Sequence, residues 1–210
     1  MTAAAPRGFL EHLHERYVSP RRAKQLCRHL APLMPPRASV LDVGCGSGTL
    51  AALIDEQRPD LTWQGIDVLA WSAPRIPVQV FDGRTIPYGP ASFDVVLLVD
   101  TLHHTTDPMV LLREAARVSR RTLVIKDHTC DGLLAGPILR AMDHVGNARH
   151  GVALPYTYWP KRRWLEALGA LGLRVVEWRS RLGLYPWPAS VVVERSLHFI
   201  AQIEIAGPPR

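Results

Sequence analysis

From Arg37 onward, short runs rich in Val, Ile or Leu alternate with stretches whose apolar residues recur at helical spacing, and this rhythm limits the possible folds more than any other feature. SVLDVG, TWQGIDV, PVQVFD, FDVVLLVD and RTLVIKDH read as strands, each short and closing on or beside a turn residue or an acid. Between them TLAALIDEQ and PMVLLREAARVSR read as helices, the second with Asp107 as a cap ahead of Pro108. Strands separated by helices pair in parallel through crossovers, so an α/β sheet is expected. After Asp127 the rhythm breaks for about thirty residues, a length that argues for a functional or partly helical segment; GLLAGPILRAMDHV inside it suits a helix. KRRWLEALGALGLRVVEW then gives a helix ending at Gly169 or Gly172 and a sixth strand, GLYPWPAS a rigid loop, and LHFIAQIEI a last strand.

At 210 residues, 47% of them hydrophobic, the chain can bury one substantial core and is short for two. It has no apolar run of membrane-spanning length, and acids and histidines interrupt the N-terminal stretch before a signal-like core forms, so a soluble cytoplasmic protein is expected. Cys27, Cys45 and Cys130 are scattered without a CxxC pair and are expected to be reduced fillers. The net charge of +6 is mostly arginine. Arg21, Arg22, Lys24 and Arg28 fall on one predicted helix, either a solvated basic face or a contact for RNA or an acidic carrier protein.

The first strand runs into VLDVGCGSGTL, with Gly44, Gly46 and Gly48 leading straight into a helix. Such a turn tolerates positive φ angles, and its free amides and helix dipole favour a polar or anionic ligand group. The order is GxGxG, not the dinucleotide GxGxxG, and Asp42 stands two residues before the first glycine. A carboxylate there repels a pyrophosphate and attracts an ammonium, so the ligand should have a cationic end. Asp67 closes the second strand, where a carboxylate can accept from both ribose hydroxyls, and Asp82 closes the third, placed for an exocyclic amine of a base.

These features, with GID, FDG, IPYGPASFDVVLLVDTLHHTTDP and LREAARVSR in this order across residues 38–128, resemble the class I S-adenosylmethionine-dependent methyltransferases, in particular the small-molecule group with an LDVGCGSG loop. The resemblance implies a Rossmann-like, doubly wound, seven-stranded, mostly parallel sheet with the last strand antiparallel. It implies S-adenosylmethionine across the strand ends, with Asp42 near the methionine end, Asp67 on the ribose, Asp82 and Gly83 at the adenine, Val68 flanking that ring, and Asp100 at the methionine portion. Residues 1–36 then form a helical segment over the cofactor site, and 37–210 the cofactor-binding domain with a lid or substrate insertion at about 128–160.

That insertion, which follows the fifth strand, should lie over the crevice at the carboxyl ends of the strands. It carries GNARHGVALPYTYWP, in which Tyr156, Tyr158 or Trp159 could face a sulfonium or simply pack. His128 and His150 are candidate bases; Asn147 shares a helical face with Asp143; His103 is a further catalytic candidate, whereas one of the His103–His104 pair should be structural. Tyr185 and Trp187 are candidates for the pocket rim. His103, His104, Asp107 and His128 have metal-ligand chemistry, but adjacent histidines converge poorly on one ion, so no metal is expected. The expected activity is methyl transfer to a small molecule, free or carrier-bound, in bacterial secondary metabolism. One alternative is cyclisation of S-adenosylmethionine itself to azetidine-2-carboxylate and methylthioadenosine; another is a binding protein without chemistry. Nucleic acid is an unexpected substrate, because DTLHH stands where an Asn-Pro-Pro-Tyr motif would follow the fourth strand.

Overall fold

Seven strands form one sheet in the order β3-β2-β1-β4-β5-β7-β6. The structure is a computed structural model that describes residues 19–147, 155–194 and 196–205. The strands are β1 (Ser39–Val43), β2 (Thr62–Asp67), β3 (Val78–Val80), β4 (Phe93–Val99), β5 (Ser119–His128), β6 (Arg174–Arg179) and β7 (His198–Glu204). The helices are α1 (Ser19–Leu30), α2 (Thr49–Asp55), α3 (Pro108–Val118), α4 (Ala135–Asn147), α5 (Lys161–Ala170) and α6 (Ala189–Val193). Pairing is parallel from β3 through β5, and β7 runs antiparallel to both β5 and β6.

The central strands are apolar on both faces because helices cover both. Side chains alternate along them: Leu41, Val96, Leu98, Leu123 and Ile125 meet α3 and α5, whereas Val40, Val95, Leu97 and Val124 meet α1 and α2. Leu98, Val124 and Trp164 are wholly buried, and each such side chain contributes roughly 1.5–3 kcal/mol through burial. Trp164 is fixed in direction as well, since its indole nitrogen donates to the His128 carbonyl at 3.0 Å.

Sheet order reverses direction between β1 and β4, and a crevice opens at the carboxyl ends of the strands there. Two local expectations shift. β3 is three residues long, so Asp82 lies just beyond the strand; an edge strand with one neighbour ends early. The loop expected over GLYPWPAS gives way at Ala189 to the short helix α6, which the β-branched run Val191–Val193 disguises in the sequence. The three cysteines are free, and no helix among the described residues is long and apolar enough to cross a membrane.

Candidate functional site

Gly44, Gly46 and Gly48 all have positive φ, 72°, 57° and 73°, and bend the chain from β1 into α2. The bend is anchored from β2: the Gly44 and Cys45 amides both donate to the Ile66 carbonyl, at 2.8 and 3.2 Å. A Cβ at Gly44 would come within 2.6 Å of the Thr101 side chain, so the loop backbone lies directly against the turn that follows β4. Next to this loop is a cleft of about 730 Å³.

Asp67 holds the loop as well as facing the cleft. One carboxylate oxygen accepts from the Gly46 amide at 2.8 Å and the other from the Leu69 amide at 2.9 Å, and each keeps a lone pair for a ligand hydroxyl. Asp82 accepts from the Arg84 and Thr85 amides through one oxygen, which keeps the carboxyl below its ordinary range, and Asp82 also lines the cleft. Val68, Phe81 and Gly83 form the apolar wall between these two acids. Trp71, which also lines the cleft beside Gly46, has no counterpart in the sequence-based site; its only signal was an aromatic ring four residues after the β2 acid.

Asp42 is the decisive group. It is 3% exposed, lines the cleft, and has no hydrogen-bond partner among the described residues. Burial, with Asp67 adding repulsion, pushes its carboxyl up to about 7. A buried carboxyl without a partner is costly unless a cation comes to it. S-adenosylmethionine fits this set of acceptors and apolar surface: an amino group to donate to Asp42, ribose hydroxyls to donate to Asp67, and a flat base against Val68 and Phe81.

Asp100 has a left-handed backbone (φ 53°) at the tip of β4 and is ion-paired with Arg22 of α1 and with the wholly buried Lys126. Burial favours its neutral form, but Arg22, Lys126 and His128 outweigh that and hold it well below the ordinary carboxylate range. Arg22 thus turns inward, with the Tyr185 phenol against it, and lies apart from the solvated face expected for this helix; Arg21, Lys24 and Arg28 are exposed. Arg22, Ala23 and Leu26 make α1 one wall of the cleft.

His103 and His128 lie behind that wall, not in it. His103 is 1% exposed and its Nδ1 sits 2.6 Å from an Asp127 oxygen. Burial opposes a charge there, yet Asp127 and Asp143 together raise the imidazole to about 10. His128 is held well below the ordinary imidazole range by burial and by Lys126, His103 and His198. His104, which was not among the catalytic candidates read from the sequence, is the histidine that lines the cleft among the described residues. Tyr158 stacks on His103 at 5.5 Å and donates to Asp143 at 2.9 Å, and Tyr156 stands 6.3 Å from Tyr158 with positive φ. Trp159 is in the core, 4% exposed and 4.9 Å from Trp164, which removes it as a sulfonium contact. Trp187 is 81% exposed, Asn147 closes α4, and His150 lies outside the described residues.

Comparison with known proteins agrees with this geometry. The chain is 34% identical over 111 residues to the 27-O-demethylrifamycin SV methyltransferase of Amycolatopsis mediterranei (strain S699), covering 46% of this chain and 40% of that protein. It is 31% identical over 124 residues to the ubiquinone biosynthesis O-methyltransferase of Idiomarina loihiensis, covering 53% and 49%. The match therefore spans less than half the length of either relative. The fold superposes on a SAM-dependent methyltransferase from Aquifex aeolicus with a TM-score of 0.64, covering 95% of this chain and all of that one at 18% identity. Residues 10–178 match the model of the methyltransferase domain family, and the chain belongs to that family.

Proposed function

We propose that the protein transfers the activated methyl group of S-adenosylmethionine to a hydroxyl oxygen of a small molecule, free or held on an acidic carrier protein, in bacterial secondary metabolism. The observation that carries the reading is Asp42, a buried carboxyl with no hydrogen-bond partner among the described residues, beside a glycine bend and lining one cleft with Asp67 and Asp82. When bound, the sulfonium supplies an electrophilic methyl with a neutral thioether as leaving group. The chain's own work is then alignment and exclusion of water. Asp42 and Asp67 fix the two ends of the amino acid and ribose, and the Arg22–Asp100 pair fixes α1 over the cleft. Oxygen as the accepting atom is supported by the names of both relatives and by His104, an imidazole that lines the cleft where an acceptor hydroxyl would lie.

Calorimetry with S-adenosylmethionine tests the cleft, and mass spectrometry after incubation with a panel of phenols and alcohols tests the transfer. Formation of S-adenosylhomocysteine only when an acceptor is present is expected. Methylthioadenosine from S-adenosylmethionine alone would replace transfer by cyclisation, and binding without turnover under any condition would leave a binding protein.

A further inference from the structure

We propose that His103, His104 and Asp143 form a site for a zinc-type divalent metal ion, one side chain away from the cleft. Asp143 Oδ1 lies 3.5 Å from His103 Nε2 and 3.6 Å from His104 Nε2, and the three ligand atoms all lie within 4.8 Å of one another. An ion that holds its donors at about 2.0–2.1 Å in a tetrahedron spaces them about 3.3 Å apart, so two of the separations are already close to those of a liganded site. The objection that neighbouring histidines diverge fails here, because the 3-10 turn Leu102–His104 brings the two rings to 4.1 Å between centroids and α4 delivers the carboxylate between them.

The surroundings are those of a ligand set. His103 Nε2 is buried and makes no hydrogen bond, while Nδ1 of the same ring is engaged by Asp127 at 2.6 Å. A carboxylate on the far nitrogen is the usual way a metal-binding histidine is oriented and its tautomer fixed. The other oxygen of Asp143 accepts from the Tyr158 hydroxyl at 2.9 Å, which fixes the direction of the carboxylate. Asp127 and Asp143 are 0% and 5% exposed, and two buried carboxylates around one imidazole favour a cation there, either a proton on His103 or a dication that displaces it. A rival grouping, Asp100, His103 and His128, is less suited, since Asp100 is already neutralised by Arg22 and Lys126 and both cations repel a dication.

The use of the ion rests on the proposed transfer to a hydroxyl. His104 lines the cleft, so a Lewis acid on its ring would lower the pKa of an acceptor hydroxyl bound beside it and offset the charge of the oxyanion.

The test is titration of chelator-treated full-length protein with Co²⁺, followed by visible absorption and then displacement with Zn²⁺. One equivalent with the intense bands of four-coordinate cobalt is expected. His104→Ala and Asp143→Asn should each weaken binding by about 10-fold or more, and His144→Ala, an exposed residue on the same helix, should not. S-adenosylmethionine binding is measured by calorimetry on every sample as the check on folding, and His104→Ala alone carries the comparison if Asp143→Asn fails it. Absence of saturable Co²⁺ uptake in protein that binds S-adenosylmethionine overturns the metal site and leaves the cofactor reading standing, as does equal uptake by wild type and His104→Ala. Loss of S-adenosylmethionine binding by the wild type defeats the transfer reading separately.

Discussion

Arg22 of α1 is ion-paired with Asp100 at the tip of β4, and this pair joins the N-terminal helix to the strand end that flanks the cleft. Their side chains are 28% and 18% exposed, so the pair is partly shielded from water. Arg22→Ala leaves Asp100 with Lys126 and His128 and loosens α1. It should cost about 2 kcal/mol of stability in urea unfolding and weaken S-adenosylmethionine binding severalfold by calorimetry.

The Asp42 carboxyl gives a pH signature whose sign is fixed. Its folded value is raised from 3.8 to about 7, so the folded chain holds a proton that the unfolded chain has released, and stability falls as pH climbs between those values. Asp42→Asn should therefore change ligand-free stability little near pH 4 and raise it at about pH 8, by up to roughly 4 kcal/mol. Ligand binding goes the other way, because an ammonium pairs with the ionised carboxyl. S-adenosylmethionine affinity should fall about tenfold per pH unit below about 7 in wild type, with a flat profile in Asp42→Asn.

Asp67 has two duties, and two substitutions separate them. Asp67→Asn keeps an acceptor for the Gly46 amide but loses the one for the Leu69 amide and the charge toward the ribose, and should weaken S-adenosylmethionine binding about 10- to 100-fold with a modest fall in melting temperature. Asp67→Ala removes the acceptor from the loop too, and should lower both.

Gly44→Ala places a methyl 2.6 Å from the Thr101 side chain at a φ of 72°. Cost from backbone and contact together should be about 2–3 kcal/mol in denaturant unfolding. Gly44→Ala combined with Thr101→Ser should recover part of it, because the hydroxyl that bonds the Val43 carbonyl is kept while the crowding methyl is removed.

The alternating pattern of strands and helices, the glycine bend and the acids at three strand tips were all legible in the sequence, because each is a local matter of periodicity, turn chemistry or strand ends. Asp107 capping α3 was legible for the same reason, and its carboxylate does accept from the Met109 amide at 3.0 Å. What a polar side chain pairs with was not legible. Arg22 looks like one more residue of a basic helix until it meets Asp100, 78 positions away, and Trp159 looks like part of an aromatic lid until it packs on Trp164 in the core. His104 and Asp143 are separated by α3, β5 and the first two turns of α4, yet lie 3.6 Å apart. Sequence alone determined the α/β sheet and the cofactor-facing loop, since short-range pattern specifies them. Only the tertiary structure decided, among the described residues, which histidine faces the cleft, which arginine turns inward and which carboxyl is left without a hydrogen-bond partner, because those depend on long-range approach and on which charges burial forces together.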